Sequence, residues 1–215
     1  MSNITEETTV FIEVCEKGFL AFVRMTIGLE KVDPSADNNR ALMRALCGRH
    51  FDVCKLIISH PKFDVTVNIG SVVQFMIYNG QIELFKLLLE NPKLDIEDDD
   101  NNAIRLAASG GHLEIVKLLL AMPKVDPGAK NNYALRWSIT NDHIEVAKLL
   151  MTNPRVSINK AIEFVSENGS NYGNITKMKK FRDDMIPKED KLKIAIDGMK
   201  TISESLNKLI LDLSK

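Results

Sequence analysis

A chain of 215 residues with 45% hydrophobic content is compatible with one packed domain. Its 28 Lys and Arg against 29 Asp and Glu leave a net charge of −1, which excludes a general attraction to nucleic acid or to an anionic membrane. The start, MSNITEETTV, places Glu6 and Glu7 where a signal peptide needs basic residues, and no apolar run approaches the ~18 residues of a membrane span, so the expected location is the cytoplasm or nucleus.

The first unit, residues 8–33, pairs an apolar helical face at Val10, Phe11, Val14 and Cys15 with a second helix from Phe19 to Ile27, broken at Gly18. Terminal units of a stacked array have one face without a neighbour, so this unit is expected to be an N-terminal cap. Four further units follow at residues 34–64, 65–95, 96–126 and 127–157. Their second helices align at a fixed shift: His112 to Leu120 superposes on His143 to Met151 (143 − 112 = 31), on Gln81 to Leu89 and on His50 to Ile58. The loops hold the same register at Lys31-Val32-Asp33, Lys62-Phe63-Asp64, Lys93-Leu94-Asp95 and Lys124-Val125-Asp126. A fixed period of this length signals a solenoid, in which each unit buries its apolar face against its neighbours.

Within each unit the first helix is short and small-sided, as in Ala103-Ile104-Arg105-Leu106-Ala107-Ala108. The second carries a wide apolar stripe (Ile115, Val116, Leu118, Leu119, Leu120) that must contact both its own unit and the next. Glu83 with Lys86, Glu114 with Lys117 and Glu145 with Lys148 mark its solvated side. Pro61, Pro92, Pro123 and Pro154 end these helices, because proline cannot donate the next backbone hydrogen bond. Asn38-Asn39, Asn101-Asn102 and Asn131-Asn132 follow in the connectors. Asn tolerates left-handed backbone, so these pairs are expected to be structural. Cys15, Cys47 and Cys54, an odd number without CxxC spacing, are expected to be small buried hydrophobes in a reducing compartment.

The unit at 158–186 is altered. Ile158, Ala161, Ile162 and Val165 start its first helix four residues early, an insert at Ser170-Asn171-Tyr172-Gly173 restores the period, and Asn174 is placed to cap its second helix. Residues 187–215 are expected to form a last amphipathic helix with an apolar seam at Met199, Ile202, Leu206, Leu209 and Leu213. Two roles fit that seam: docking on the last unit as a C-terminal cap, or a homodimer through 188–213.

No catalytic constellation, metal-ligand set or cofactor motif is present: GxxxxGK[ST] and HExxH are absent, and Gly110-Gly111 joins two helices. The expected function is binding, without a cofactor. The acidic run Asp95-Ile96-Glu97-Asp98-Asp99-Asp100 would select a basic patch or simply solvate a loop. On the first helices, Arg44, Phe75, Leu106 and Trp137 share one register, and Cys47, Tyr78, Ser109 and Thr140 share the next.

Gly111-His112-Leu113-Glu114-Ile115-Val116-Lys117-Leu118-Leu119-Leu120, with its near copy at Asp142 to Met151, resembles the second-helix signature of ankyrin repeats, and the resemblance extends over residues 8–185. The family's Thr-Pro-Leu-His is replaced by Tyr133-Ala134-Leu135-Arg136 and Asn102-Ala103-Ile104-Arg105, and the unit is shorter than the usual ~33 residues. The resemblance implies an all-α solenoid of helix-turn-helix units with shortened finger loops, in which His50, His112 and His143 are framework residues. It also implies a non-enzymatic scaffold that grips another protein on a concave face lined by fingers and first helices. The candidate contacts there are Tyr78, Asn79, Asp98, Asp99, Asp100, Lys130, Trp137, Thr140 and Asn141. The Asn-rich style resembles arrays of amoebal and large-DNA-virus proteomes, where host–virus interaction is a recurrent setting. An alternative reading is an adaptor: Ile186-Pro187-Lys188-Glu189 resembles the opening of an F-box, which would recruit ubiquitin-ligase machinery through the last segment.

Overall fold

The computed structural model describes residues 4–94 and 101–185, together with Pro187 and Met199. Among these residues the chain is all helical. The helices come in pairs: α1 (Glu6–Glu16) with α2 (Leu20–Ile27), α3 (Ala36–Cys47) with α4 (Phe51–Ile58), α5 (Gly70–Tyr78) with α6 (Ile82–Leu89), α7 (Asn102–Ser109) with α8 (Leu113–Leu120), α9 (Ala129–Thr140) with α10 (Ile144–Met151), and α11 (Ile158–Asn168) with α12 (Ile175–Met185). Every second helix begins 31 residues after the one before it, from Leu20 through Ile175 (51 − 20 = 31, 175 − 144 = 31). Each of α4, α6, α8 and α10 stops three residues before its proline.

The pairs stack in two rows. First helices pack in the order α1, α3, α5, α7, α9, α11, and second helices in the order α2, α4, α6, α8, α10, while α12 rests on α9 and α11. One continuous apolar interior runs between the rows, from Phe11 and Val23 through Leu42, Phe85, Ile104 and Leu135 to Val165 and Phe181. Small side chains set the spacing of the first row, since Ala41, Ala103, Ala107, Ala134 and Ala161 are buried where neighbouring helices touch. Ion pairs of the i,i+3 kind at Glu114–Lys117 (2.6 Å) and Glu145–Lys148 (2.9 Å) lie on the exposed side of the second row.

The connectors turn through left-handed backbone. Asp37, Asn38 and Asn39 precede the regular part of α3, and Lys130, Asn131 and Asn132 precede that of α9, all with positive φ; Asn101 does the same before α7. The Asn side chains then tie the connector to the end of their own repeat (Asn101, Asn132) or to the start of the next (Asn39). Asn101 Oδ1 accepts from Asp126 N (2.7 Å), Asn132 Oδ1 from Ser157 N (2.9 Å), and Asn39 Nδ2 donates to the Val67 carbonyl. Each finger opens on an Asp whose Oδ1 accepts an N–H two residues on, at Asp33, Asp64 and Asp126. No strand forms in any finger among the described residues.

In the altered unit Ser157 caps α11 directly, so the finger is omitted. A single 3-10 turn at Ser170–Tyr172 between Gly169 and Gly173 fills the insert, and Asn174 Oδ1 accepts from Lys177 N (2.9 Å) to cap α12 as expected. Cys15 and Cys54 are buried as expected, whereas Cys47 is exposed at the end of α3, a correction that follows from its place on the outer side of the first row. Of the seam expected in the last helix, Met199 is among the described residues and is exposed; Ile202, Leu206, Leu209 and Leu213 lie outside them, as does the acidic run from 95 to 100.

Candidate partner-binding face

Of the candidate contacts, Tyr78, Asn79, Trp137, Thr140 and Asn141 lie on or just after the first helices α5 and α9, and how each is held decides what it can offer. Tyr78, the last residue of α5, is 69% exposed, and its hydroxyl has no partner among the described residues. Its main chain is fixed, because His112 Nε2 from the following repeat donates to the Tyr78 carbonyl (3.0 Å). A large amphipathic ring on a pinned backbone loses little conformational freedom on binding. Asn79 beside it is exposed, with Nδ2 turned back onto the Phe75 carbonyl (2.9 Å). Cys47, one repeat earlier in the same register, is also exposed.

Two repeats further on, the same row is occupied with holding the stack together. Thr140 Oγ1 donates to the Arg136 carbonyl (2.8 Å) and accepts from Asn174 N (2.9 Å). Asn141 Nδ2 donates to the Ser109 carbonyl (2.8 Å) and reaches Ser109 Oγ (3.3 Å). Both side chains therefore bridge successive repeats. Trp137 is half-buried beside Tyr133 (ring centroids 5.9 Å apart), and Lys130 is exposed on the left-handed turn that leads into α9. Phe75 and Leu106 are half-buried, in keeping with packing at the finger base, and Arg44 is exposed and paired with Glu16 (3.1 Å).

One residue that sequence reasoning placed only as a departure from the family motif turns out to organise this end of the row. Arg136 is 2% exposed and makes no ion pair among the described residues. Its guanidinium donates to the carbonyls of Asn131 (2.9 Å), Lys130 (3.0 Å) and Tyr172, and lies over the rings of Phe164 (4.6 Å) and Tyr133 (5.4 Å). Burial pulls its pKa down, while the fork of carbonyls and the aromatic faces satisfy the charge. Arg136 thus welds the left-handed turn of one repeat to the insert of the next. The signal available in the sequence was the pairing of an arginine at the motif's histidine position with an aromatic insert 36 residues later.

The histidines also take framework positions. His50 Nε2 donates to the Glu16 carbonyl (3.1 Å), as His112 does to that of Tyr78, each reaching back to the preceding first helix. Their rings, with that of His143, cover Gly18, Gly80 and Gly111, glycines of positive φ in the preceding unit. No group of three or more His, Cys, Asp or Glu able to hold a metal ion occurs among the described residues, and no described helix is long and apolar enough to cross a membrane.

Residues 73–162 match the family model of ankyrin repeats, in three copies. These are ankyrin repeats. The matched stretch runs from α5 to the first half of α11, and the units on either side are also helix pairs whose second helices keep the 31-residue step. No curated protein matches the chain. Ankyrin repeats are protein–protein interaction modules, and residues 73–162 are of that kind.

Proposed function

We propose that the ankyrin array is a scaffold that binds another protein through its first-helix face around the second to fourth repeats, with Tyr78 as anchor. The observation that carries this reading is the contrast along one register. Ser109 and Thr140 take part in hydrogen bonds between repeats, whereas Tyr78 keeps its backbone pinned and its ring and hydroxyl free. Tyr is among the residue types that dominate interface energies. Asn79 flanks the anchor as a polar contact, Lys130 is a further polar contact from the turn before α9, and Asp98, Asp99 and Asp100 are proposed to supply negative charge. Half-buried Trp137 contributes its exposed edge, and Thr140 and Asn141 hold the surface in shape.

The test is affinity capture with wild-type protein, Tyr78→Ala and the Asp98→Lys/Asp99→Lys double variant, with captured proteins identified by mass spectrometry. Tyr78→Ala is expected to weaken retention of the specific partner by roughly 30-fold, the equivalent of ~2 kcal/mol. Retention unchanged in both variants would remove this face from consideration.

A further inference from the structure

All three tyrosines of the chain and its one tryptophan stay out of the core and gather on or against first helices. Tyr78 ends α5, Tyr133 and Trp137 belong to α9, and Tyr172 packs edge-on against Phe164 of α11, with ring centroids 5.4 Å apart. Phe164 takes the register of Trp137 in the altered unit, since Ala161 lies 27 residues after Ala134 and 164 − 137 is also 27. Phe75, Leu106, Trp137 and Phe164, all half-buried, thus form one apolar strip across four first helices. An exposed tyrosine stands at each end, and the two are held alike. Tyr78 is 69% exposed with its carbonyl accepting from His112, and Tyr172 is 46% exposed with its carbonyl accepting from Arg136. The insert that carries Tyr172 lies along α9: a Cβ on Gly173 would be 3.5 Å from Thr140 Oγ1, and Thr140 is in the register of Tyr78. Between the two tyrosines, Trp137 Nε1 and Arg105 Nε are shielded from water and have no acceptor. Arg105 otherwise donates to Asn102 Oδ1 (3.2 Å) and lies over the ring of Tyr133 (4.9 Å), which also meets Trp137. Shielded N–H groups without acceptors are rare in folded proteins.

We infer that this strip seats a proline-rich segment of the partner in the polyproline II conformation, gripped by Tyr78 at one end and Tyr172 at the other. The inference rests on the scaffold reading above and adds to it a second anchor and the chemistry of what is held. Three features select that occupant. A helix keeps its carbonyls in its own hydrogen bonds, whereas polyproline II leaves them free to accept from Trp137 Nε1 and Arg105 Nε once a small turn of these half-buried side chains brings them outward. Among the described residues the array offers no strand edge to pair with backbone N–H groups, and proline has none to place. Proline-rich segments dock on surfaces lined by aromatic side chains, which this strip supplies along its length. The span fixes the size of the segment. Helices packed in a row lie about 8–10 Å apart, so the three steps from α5 to α11 cover about 25–30 Å, or about eight to ten residues of polyproline II.

Trp137 is the only tryptophan, so its fluorescence reads the middle of the strip directly. The probes are synthetic peptides: twelve prolines (about 37 Å long), four prolines (about 12 Å) and a helical peptide of three Glu-Ala-Ala-Ala-Lys units. The twelve-proline peptide is expected to shift the emission saturably, and Tyr172→Ala and Tyr78→Ala each to raise its Kd about tenfold or more. Tyr172→Phe, which keeps the ring, should stay within about threefold of wild type. The four-proline peptide cannot reach both tyrosines and should bind at least about tenfold more weakly. Tyr172→Ala retains the backbone carbonyl that Arg136 holds, so its helical circular dichroism should match wild type. No saturable response to the twelve-proline peptide, or an equal response to the helical one, would overturn the inference, as would a twelve-proline Kd that Tyr172→Ala leaves unchanged. If affinity capture of the partner still depends on Tyr78, those results remove only the proline-rich occupant and its second anchor; capture indifferent to Tyr78 as well removes the scaffold reading with them.

Discussion

The contact between histidine and glycine in successive repeats makes a quantitative prediction about stacking. Gly80 has φ of +64°, and a Cβ added there would lie 2.7 Å from Nδ1 and Cε1 of His112, well inside van der Waals contact. Replacing Gly80 by Ala therefore has two costs: about 1–2 kcal/mol for placing an L side chain in left-handed backbone, and about 1 kcal/mol for displacing the imidazole from its bond to the Tyr78 carbonyl. Gly80→Ala should destabilise the array by about 2–3 kcal/mol in total. In a His112→Gln background the second cost has already been incurred, so the same substitution should cost only about 1–2 kcal/mol, leaving a coupling of about 1 kcal/mol between positions 32 residues apart. The chain contains the natural control. Arg49 and Asp142 hold positive φ (59° and 63°) at the glycine register, and each is followed 32 residues later by a residue other than His. Gln81 turns its amide back to the Asn79 carbonyl (3.3 Å), and Asn174 caps α12, so neither claims the space over the preceding Cβ. Urea unfolding followed by circular dichroism for the two single variants and the double variant measures the cycle. Additivity to within about 0.5 kcal/mol would show that the ring does not dictate glycine at position 80.

Three other outcomes follow from the same structure. Arg136→Ala leaves the carbonyls of Lys130, Asn131 and Tyr172 without their shared donor and should cost about 3 kcal/mol; Arg136→Lys, which cannot fork to three acceptors, should recover less than half of that in urea unfolding. Asn132→Ala loses the bond to Ser157 N and also strains a residue at φ of 57°, whereas Asn132→Gly loses only the bond, so the Gly variant should be the more stable by about 1 kcal/mol in thermal melts. Cys47 should be alkylated in the native protein, while Cys15 and Cys54, whose thiols burial pushes up to about 12, should react only after denaturation, as counted by intact mass.

The rise of the solenoid could be read from the chain because it is a matter of spacing: a stripe that recurs every 31 residues has to face the same way in every unit, whatever fills it. The Asn pairs were equally legible, since left-handed turns accept few residue types and Asn38, Asn39, Asn101, Asn131 and Asn132 all take positive φ. What spacing could not reveal was which neighbour stands opposite each register. Arg136 carries a charge, and nothing within its own helix says that three carbonyls and two aromatic rings will surround it; those come from a left-handed turn just before it and from an insert in another repeat. Thr140 and Asn141 look free for the same reason, because Asn174 and Ser109, which hold them, lie 34 and 32 residues away (174 − 140 and 141 − 109). Phe22 shows the converse: its register holds buried Val53, Leu84, Ile115 and Val146 in the following units, yet Phe22 itself is exposed, because no other described unit packs on that side of α2. The pairing of Gly18 with His50, Gly80 with His112 and Gly111 with His143 was present in the sequence as a 32-residue offset. It becomes readable only once the repeat is known to place one unit's imidazole over the preceding unit's backbone. In a solenoid, then, a side chain's environment is set by a neighbour one period away. Its chemistry is legible to the extent that both members of the pair are read together.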